Sequence, residues 1–381
     1  MEFIPLCVPE IRGNEWAFLK ECIDTNFVSS VGPFVERFEQ MVADSVGAPY
    51  GVATVNGTAA LHIALLVAGI KSDEEVLVST LTFIAPVNAI RYVGAWPVFI
   101  DAESDYWQMD PAKVIDFLEK GCAWRDGALY NRQTKRRVTA IIPVHILGQA
   151  VDMDPILEIA KKFDLKVIED ATEGLGAKYR GKSLGRLGNI ACFSFNGNKM
   201  ITTGGGGMIV TANEAWARKA KYLTTQAKDD PLEYIHGEIG YNYRLTNLQA
   251  AFGCAQMEQL DQYVAAKRKI AARYGEALKG VPGLSIMKEA AKVSSSFWLY
   301  TVLVDEKQFG MNSRNLLHRL DSQKIQTRPL WQPIHQSPAY AQTGCVELAV
   351  AERLYHQGLS LPCSVGLTEA DQERVIAGLR L

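Results

Sequence analysis

Short, mostly apolar runs alternate along this chain with longer stretches in which apolar and polar residues mix. Runs of the first kind fall at residues 75–78, 97–101, 139–144 and 165–169, and two more, 190–195 and 208–211, flank a glycine-rich segment. Continuous apolar runs of this length predict strands covered on both faces, because a strand with one wet face alternates instead. Helical stretches at 84–93, 111–120 and 153–163 lie between them. Upstream, residues 15–25 and 33–46 predict helices, the second after the Gly32-Pro33 break. Asn56-Gly57-Thr58 opens an apolar helix through Leu61, Leu65 and Leu66 to Ala68, which Gly69 stops. Strands and helices in this alternation predict an α/β fold with a mostly parallel sheet between helical layers.

Near residue 255 the pattern changes. A long helix over 245–278 is expected to lead out of the first domain. A strand (297–304), a helix (313–322), a strand (325–328) and two more helices follow. The expected organisation is a large domain over 1–255 and a smaller C-terminal α+β domain over 256–381, with no internal repeat. The 381 residues suffice for both, and 48% hydrophobic with 22% charged residues is the balance of a soluble globular protein. A net charge of -2 without a basic stripe argues against a nucleic-acid partner. No apolar run reaches the roughly 18 residues of a membrane span, and the start, Met1-Glu2-Phe3-Ile4-Pro5, lacks the features of a signal peptide. The seven cysteines are scattered without a CxxC pair. Reduced thiols in a cytoplasmic protein are expected, with neither a metal site nor a disulfide framework.

Candidate chemistry centres on Phe193-Ser194-Phe195-Asn196-Gly197-Asn198-Lys199-Met200-Ile201-Thr202-Thr203, followed by four glycines, Gly204 to Gly207. A lysine held between two strand ends can be desolvated, which favours its neutral, nucleophilic amine. Such an amine is what an aldehyde cofactor such as pyridoxal phosphate needs for Schiff-base formation. A solvated loop lysine beside a glycine hairpin is the alternative. Ligands of open parallel sheets sit at the carboxyl ends of strands and at helix N-termini, and several polar residues fall at such places. Gly57 and Thr58 begin a helix, where free N–H groups favour a phosphate; Thr58 is otherwise a plain cap. Phe83 follows a strand, to stack on a planar group or to join the core. Asp170 ends the run Val167-Ile168-Glu169-Asp170, either to meet a protonated pyridine nitrogen or to cap the next loop, and Glu173 follows three residues on.

In combination these segments resemble fold-type I, aspartate-aminotransferase-like pyridoxal-phosphate enzymes, and more narrowly the DegT/StrS sugar-nucleotide aminotransferases. The segments concerned are Asn56-Gly57-Thr58-Ala59-Ala60-Leu61, Thr82-Phe83-Ile84-Ala85, Glu169-Asp170-Ala171-Thr172-Glu173, Ser194 to Lys199, and Gly240-Tyr241-Asn242-Tyr243-Arg244. The resemblance implies that Lys199 holds the cofactor and moves the proton, that Asp170 pairs with the pyridine nitrogen and that Phe83 stacks on the ring. It further implies that Gly57, Thr58 and Ser194 hold the phosphate, and that Asn242 reaches it from the neighbouring subunit of a homodimer. Relatives often carry Gln where this chain has Glu173, so two anions meet beside the cofactor unless one is protonated.

The 196–207 run, Thr225-Gln226-Ala227-Lys228 and Thr327-Arg328-Pro329-Leu330-Trp331 look like the branch acting on UDP-linked 4-keto-6-deoxy-N-acetylhexosamines, on the way to bacillosamine and legionaminic acid in bacterial surface glycans. That resemblance implies glutamate as amino donor and Asn198, Arg328, Trp331 and His335 as substrate contacts. Arg328 offers a fork to a diphosphate and Trp331 a stacking face. His335, like His145, is otherwise a hydrogen-bonded structural residue. Residues 26–30 are candidates for the substrate mouth. Other readings are an aminotransferase acting on a GDP- or dTDP-linked keto sugar, a pyridoxal-phosphate enzyme of another class such as a dehydratase, and a non-catalytic sensor of nucleotide sugars.

Overall fold

The computed structural model describes residues 2–230, 232–341, 343 and 348–380; Cys345 lies outside the described residues. Its central sheet runs, edge to edge, Tyr50–Thr54, Gly207–Thr211, Ile190–Ser194, Lys166–Asp170, Arg137–Ile142, Glu75–Ser79 and Trp96–Ile100. The five strands from Ile190–Ser194 to Trp96–Ile100 are parallel neighbours, and Gly207–Thr211 runs antiparallel between Ile190–Ser194 and Tyr50–Thr54. Every residue of Glu75–Ser79 and Gly207–Thr211 is buried, as strands covered on both faces require. The expected α/β architecture of fold type I is present, with helices such as Gly57–Val67 and Met153–Lys162 packed on the sheet.

Helix ends follow local chemistry. Asn56 caps Gly57–Val67 by accepting from Ala59 N–H at 2.8 Å, and Gly69 leaves the helix at φ +83°. Thr246 and Gln249 form a reciprocal capping box at the start of Asn247–Met257.

The expected single helix over 245–278 is two, Asn247–Met257 and Leu260–Ala277. No Pro or Gly lies at the break, which is marked instead by tertiary contacts: Glu258 accepts from Asn14 Nδ2 and Arg37 Nη2, both at 2.8 Å. The stretch 111–120 is an α-helix only over Pro111–Asp116, then widens into a π turn over Phe117–Gly121 that leads into a hairpin of Cys122–Arg125 and Ala128–Asn131. A second, antiparallel sheet joins Leu284–Ile286, Tyr300–Val304, Gly358–Leu361 and Arg328–Pro329. The strand expected from 297 begins at Tyr300, because Phe297 has left-handed backbone (φ +48°).

Several contacts fasten this second sheet and its helices to the rest. Asp101, just beyond the Trp96–Ile100 strand, accepts from Val350 and Ala351 N–H at 3.1 and 2.8 Å and so caps the helix Ala349–Gln357. Thr80 Oγ1 lies 2.7 Å from His335 Nδ1. The first residues of the chain run beside the C-terminal part: Ile4 N–H donates to Lys324 O, and Cys363 N–H donates to Leu6 O. Among the described residues no helix is long and apolar enough to cross a membrane.

Candidate active site

At the carboxyl ends of the parallel strands lies a cavity of about 360 Å³. Gly57 and Thr58 line it from the first turn of their helix, Phe83 from the loop after Glu75–Ser79, Asp170 from the last position of its strand, Glu173 just beyond, and Ser194 from the end of Ile190–Ser194. Lys199 follows in a turn closed by its own N–H to Asn196 O at 3.0 Å. Residues 142 positions apart in sequence thus face one volume, because a parallel sheet sets all its carboxyl ends on one side.

Space beside Ser194 is set by Gly57: a Cβ there would stand 2.9 Å from Ser194 Cβ. Asn56 satisfies Ala59 N–H, so the N–H groups of Gly57 and Thr58 remain to face an anion at the positive end of the helix. Phe83, 57% exposed, offers its ring at the cavity rim rather than in the core.

Asp170 is buried, and burial lifts its carboxyl above the ordinary range against the hydrogen bonds from Thr172, whose N–H donates to Oδ1 at 3.1 Å. A carboxylate in that position favours a cationic partner in the cavity. Glu173 is pushed up to about 7, first by burial, against the attraction of Lys199 and the Leu147 N–H that donates to its Oε2 at 2.8 Å; the charge of Asp170 raises it further. The two carboxyls therefore share their surroundings with Glu173 carrying a proton up to about neutral pH. Lys199 Nζ stands 3.7 Å from Glu173 Oε1. It also lies 4.1 Å from the centre of the Trp298 ring. Trp298 donates from Nε1 to Asn198 O at 2.7 Å and stacks nearly parallel to Trp331 (6°, centroids 6.4 Å apart).

Asn198 and Trp331 line the same cavity; Asn242, Arg328 and His335 do not. Asn242 is exposed and accepts from Arg244. Arg328 is exposed and donates to Thr327 O. Both ring nitrogens of His335 are occupied, by Thr80 and by Glu352 Oε1 at 3.0 Å. His145 is buried beneath the site: Val151 N–H donates to its Nδ1, which leaves the proton on Nε2 to donate to Glu169. Residues 26–30 lie outside the cavity lining, and Asn247 holds them through Phe27 O and Ser29 O.

The sequence profile of the DegT/DnrJ/EryC1/StrS aminotransferase family matches residues 9–380. The chain belongs to this family. It is 42% identical over 380 residues (99% of this chain, 97% of the other) to a GDP-perosamine synthase of Caulobacter vibrioides. It is 38% identical over 362 residues (95% and 93%) to a GDP-perosamine synthase of Escherichia coli O157:H7. Among solved structures, a DegT DnrJ EryC1 StrS aminotransferase from Brucella abortus superposes with a TM-score of 0.88 at 27% identity, covering 96% of this chain and 94% of that one. DesI, solved in the presence of its TDP-sugar product, superposes with a TM-score of 0.89 at 26% identity, covering 100% and 93%.

As a member of this family the chain is a pyridoxal-phosphate-dependent sugar aminotransferase. Its cavity fits that cofactor on its own observations: an anion-ready helix start where glycine leaves room, an exposed aromatic face, a buried carboxyl in need of a cation, and an amine at the far side. The sequence reading missed Trp298, which touches Lys199 directly. Its sequence signal, an aromatic residue ahead of an apolar run in the C-terminal part, is no different from that of a core residue.

Proposed function

We propose that this protein transfers an amino group from glutamate to the C4 ketone of a GDP-linked keto sugar. The observation that carries the reaction class is the Lys199 amine set between Glu173 and Trp298 in the cavity that Gly57, Phe83, Asp170 and Ser194 also line. Support for GDP comes from the GDP-perosamine synthases to which the chain is 42% and 38% identical. The motifs at 196–207, 225–228 and 327–331 pointed instead to a UDP-linked N-acetylhexosamine, and no relative named above carries that specificity. Relatives of this kind also favour a role in surface-polysaccharide sugar supply.

Bound pyridoxal phosphate supplies an electron sink that carries the amino group between donor and acceptor. In our reading Gly57, Thr58 and Ser194 hold the phosphate and Phe83 covers one ring face. Asp170 would hold the ring nitrogen in its protonated form, and protonated Glu173 would donate a hydrogen bond to the hydroxyl oxygen carried by the ring. Lys199 Nζ takes and returns the proton at the substrate carbon, a role worth about 10²–10⁴-fold when the group is well placed. Trp298 and Trp331 form an aromatic wall against which the sugar nucleotide lies. Arg328 and His335 serve the sugar nucleotide only if they reach it from outside the cavity lining.

Asn242 completes a partner's phosphate site in a cytoplasmic homodimer. Exposed apolar side chains support such an interface, among them Trp16 (77% exposed), Leu232 (84%) and Ile239 (85%). The division into domains 1–255 and 256–381 belongs to the same reading. The deciding experiment incubates the enzyme with glutamate and, in turn, GDP-, UDP- and dTDP-linked 4-keto-6-deoxy sugars and identifies the amino-sugar products. A kcat/KM for the GDP sugar about tenfold or more above the others is expected, equivalent to about 1.4 kcal/mol. Preference for a UDP-linked N-acetyl sugar returns the substrate to the other reading.

A further inference from the structure

Cys7 and Cys363, 356 positions apart, come together where the first residues of the chain pass the end of the Gly358–Leu361 strand. Between them and the helix Leu260–Ala277 lies Lys267, only 2% exposed. Its Nζ donates to Trp298 O at 2.9 Å, to Cys7 Sγ at 3.3 Å and to Cys363 Sγ at 3.7 Å. These three acceptors are a carbonyl and two sulfurs. A buried ammonium needs an anion close by, and the nearer sulfur supplies one as its thiolate. The hydrogen bond from the Cys363 thiol does most to hold Cys7 down, to about 5 against its burial, with Lys267 adding to it, while Cys363 is pushed up and keeps its proton. One reactive sulfur, one protonated sulfur bonded to it and one cation thus form a self-contained group. Cys7 is half-buried, whereas Cys363 is fully buried.

We propose that Cys7 and Cys363 are a peroxide-responsive thiol pair, with Cys7 the attacking and Cys363 the resolving sulfur, that closes to a disulfide beside the Lys199 turn. The Cys7 thiolate attacks one oxygen of a hydroperoxide. The O–O bond breaks, and the leaving alkoxide takes a proton from Lys267 or from solvent and departs as the alcohol. Cys7 is then a sulfenic acid. The Cys363 sulfur attacks Cys7 Sγ, the S–O bond breaks, and the hydroxyl leaves as water with the Cys363 proton. The two sulfurs lose one electron each, and the peroxide is reduced by the pair. Cys7 Sγ lies 3.4 Å from Asn198 O, and Cys363 Sγ lies 3.5 Å from Trp298 O. Closing the bond consumes the Cys363 thiol proton and the Cys7 charge. It alters what meets the carbonyls of Asn198 and Trp298, the first preceding Lys199 in its turn and the second carrying the ring beside its amine.

The test treats the full-length holoenzyme with stoichiometric hydrogen peroxide at neutral pH, then counts free thiols by alkylation and maps linked peptides by mass spectrometry. Expected are the loss of two thiols, a peptide joining Cys7 to Cys363, and a severalfold fall in amine transfer that dithiothreitol reverses. In Cys363→Ser the reaction should stop at a Cys7 sulfenic acid that dimedone traps, and in Cys7→Ser no link should form. Both thiols remaining free, Cys7 running on to sulfinic acid while Cys363 stays free, or a link to any other cysteine overturns the proposal. The wild-type mapping decides it even if a variant fails to fold.

Discussion

The cavity has two unlike walls. One is made of strand ends and a helix start of the central sheet, and every residue the motifs assigned to it from this chain (Gly57, Thr58, Phe83, Asp170, Glu173, Ser194 and Lys199) lines the cavity. The other is made by the C-terminal part, where Trp331 reaches the cavity, Arg328 and His335 do not, and the unassigned Trp298 makes the closest approach to Lys199. The first wall is placed by hydrogen-bonded strands, which leave little freedom. The second is placed by a turn with left-handed backbone at Phe297 and by short strands, whose direction depends on packing. In the proposed function, cofactor chemistry falls to the first wall and substrate choice to the one that sequence specifies least.

The largest effect that tests this contrast is Lys199→Ala. We expect turnover to fall by about 10³-fold or more while the far-ultraviolet circular dichroism and melting profile stay near wild type, since the side chain is partly exposed. Amine transfer near the wild-type rate would remove Lys199 from the reaction. Asp170→Asn keeps the shape but takes away the charge beside the cavity; a fall in kcat of about 10²-fold is expected, together with weaker cofactor retention on dialysis.

Glu173 gives a pH signature. Its folded pKa, about 7, lies above the value of 4.5 it has without the fold. Between those values the folded protein holds a proton that the unfolded chain has lost, so this group's contribution favours folding at low pH and fades as pH rises from 4.5 to 7. The span corresponds to about 3 kcal/mol. Melting curves of the cofactor-free protein from pH 5 to 8 should show Glu173→Gln gaining stability relative to wild type as pH rises. Parallel curves would mean that Glu173 is ionised throughout.

Trp298→Phe retains an aromatic face yet loses the hydrogen bond to Asn198 O. A rise of about fivefold in KM for the sugar nucleotide with a smaller change in kcat is expected, the scale of one hydrogen bond. The smallest effect should be Arg328→Ala, within about twofold on KM, as for an exposed side chain outside the cavity. A tenfold rise there would show that the exposed edge of the second sheet belongs to the substrate site and would close the gap between the two walls.

Apolar patterning alone predicted the parallel core strands, because a strand buried on both faces is mostly apolar, its buried carboxyls (Glu75, Glu169 and Asp170) standing at or beside strand ends. Motif spacing likewise picked out residues that line one cavity. Tyr50–Thr54, with Gly51 inside and two half-buried residues at its start, carried no such signal, and Gly358–Leu361 was hidden between two helices. The break at Glu258 was equally silent, since it is marked by Asn14 and Arg37 from remote parts of the chain.

What the sequence determined by itself is the order of elements and the identity of the groups at the strand ends, because local periodicity and the fixed polarity of a parallel sheet leave one side for them to share. Tertiary structure alone decided that burial raises the Glu173 carboxyl to about 7, that Trp298 faces Lys199, and that Cys7 meets Cys363 across a buried lysine. Burial and the approach of residues hundreds of positions apart set those properties, and neither is a property of any segment read alone.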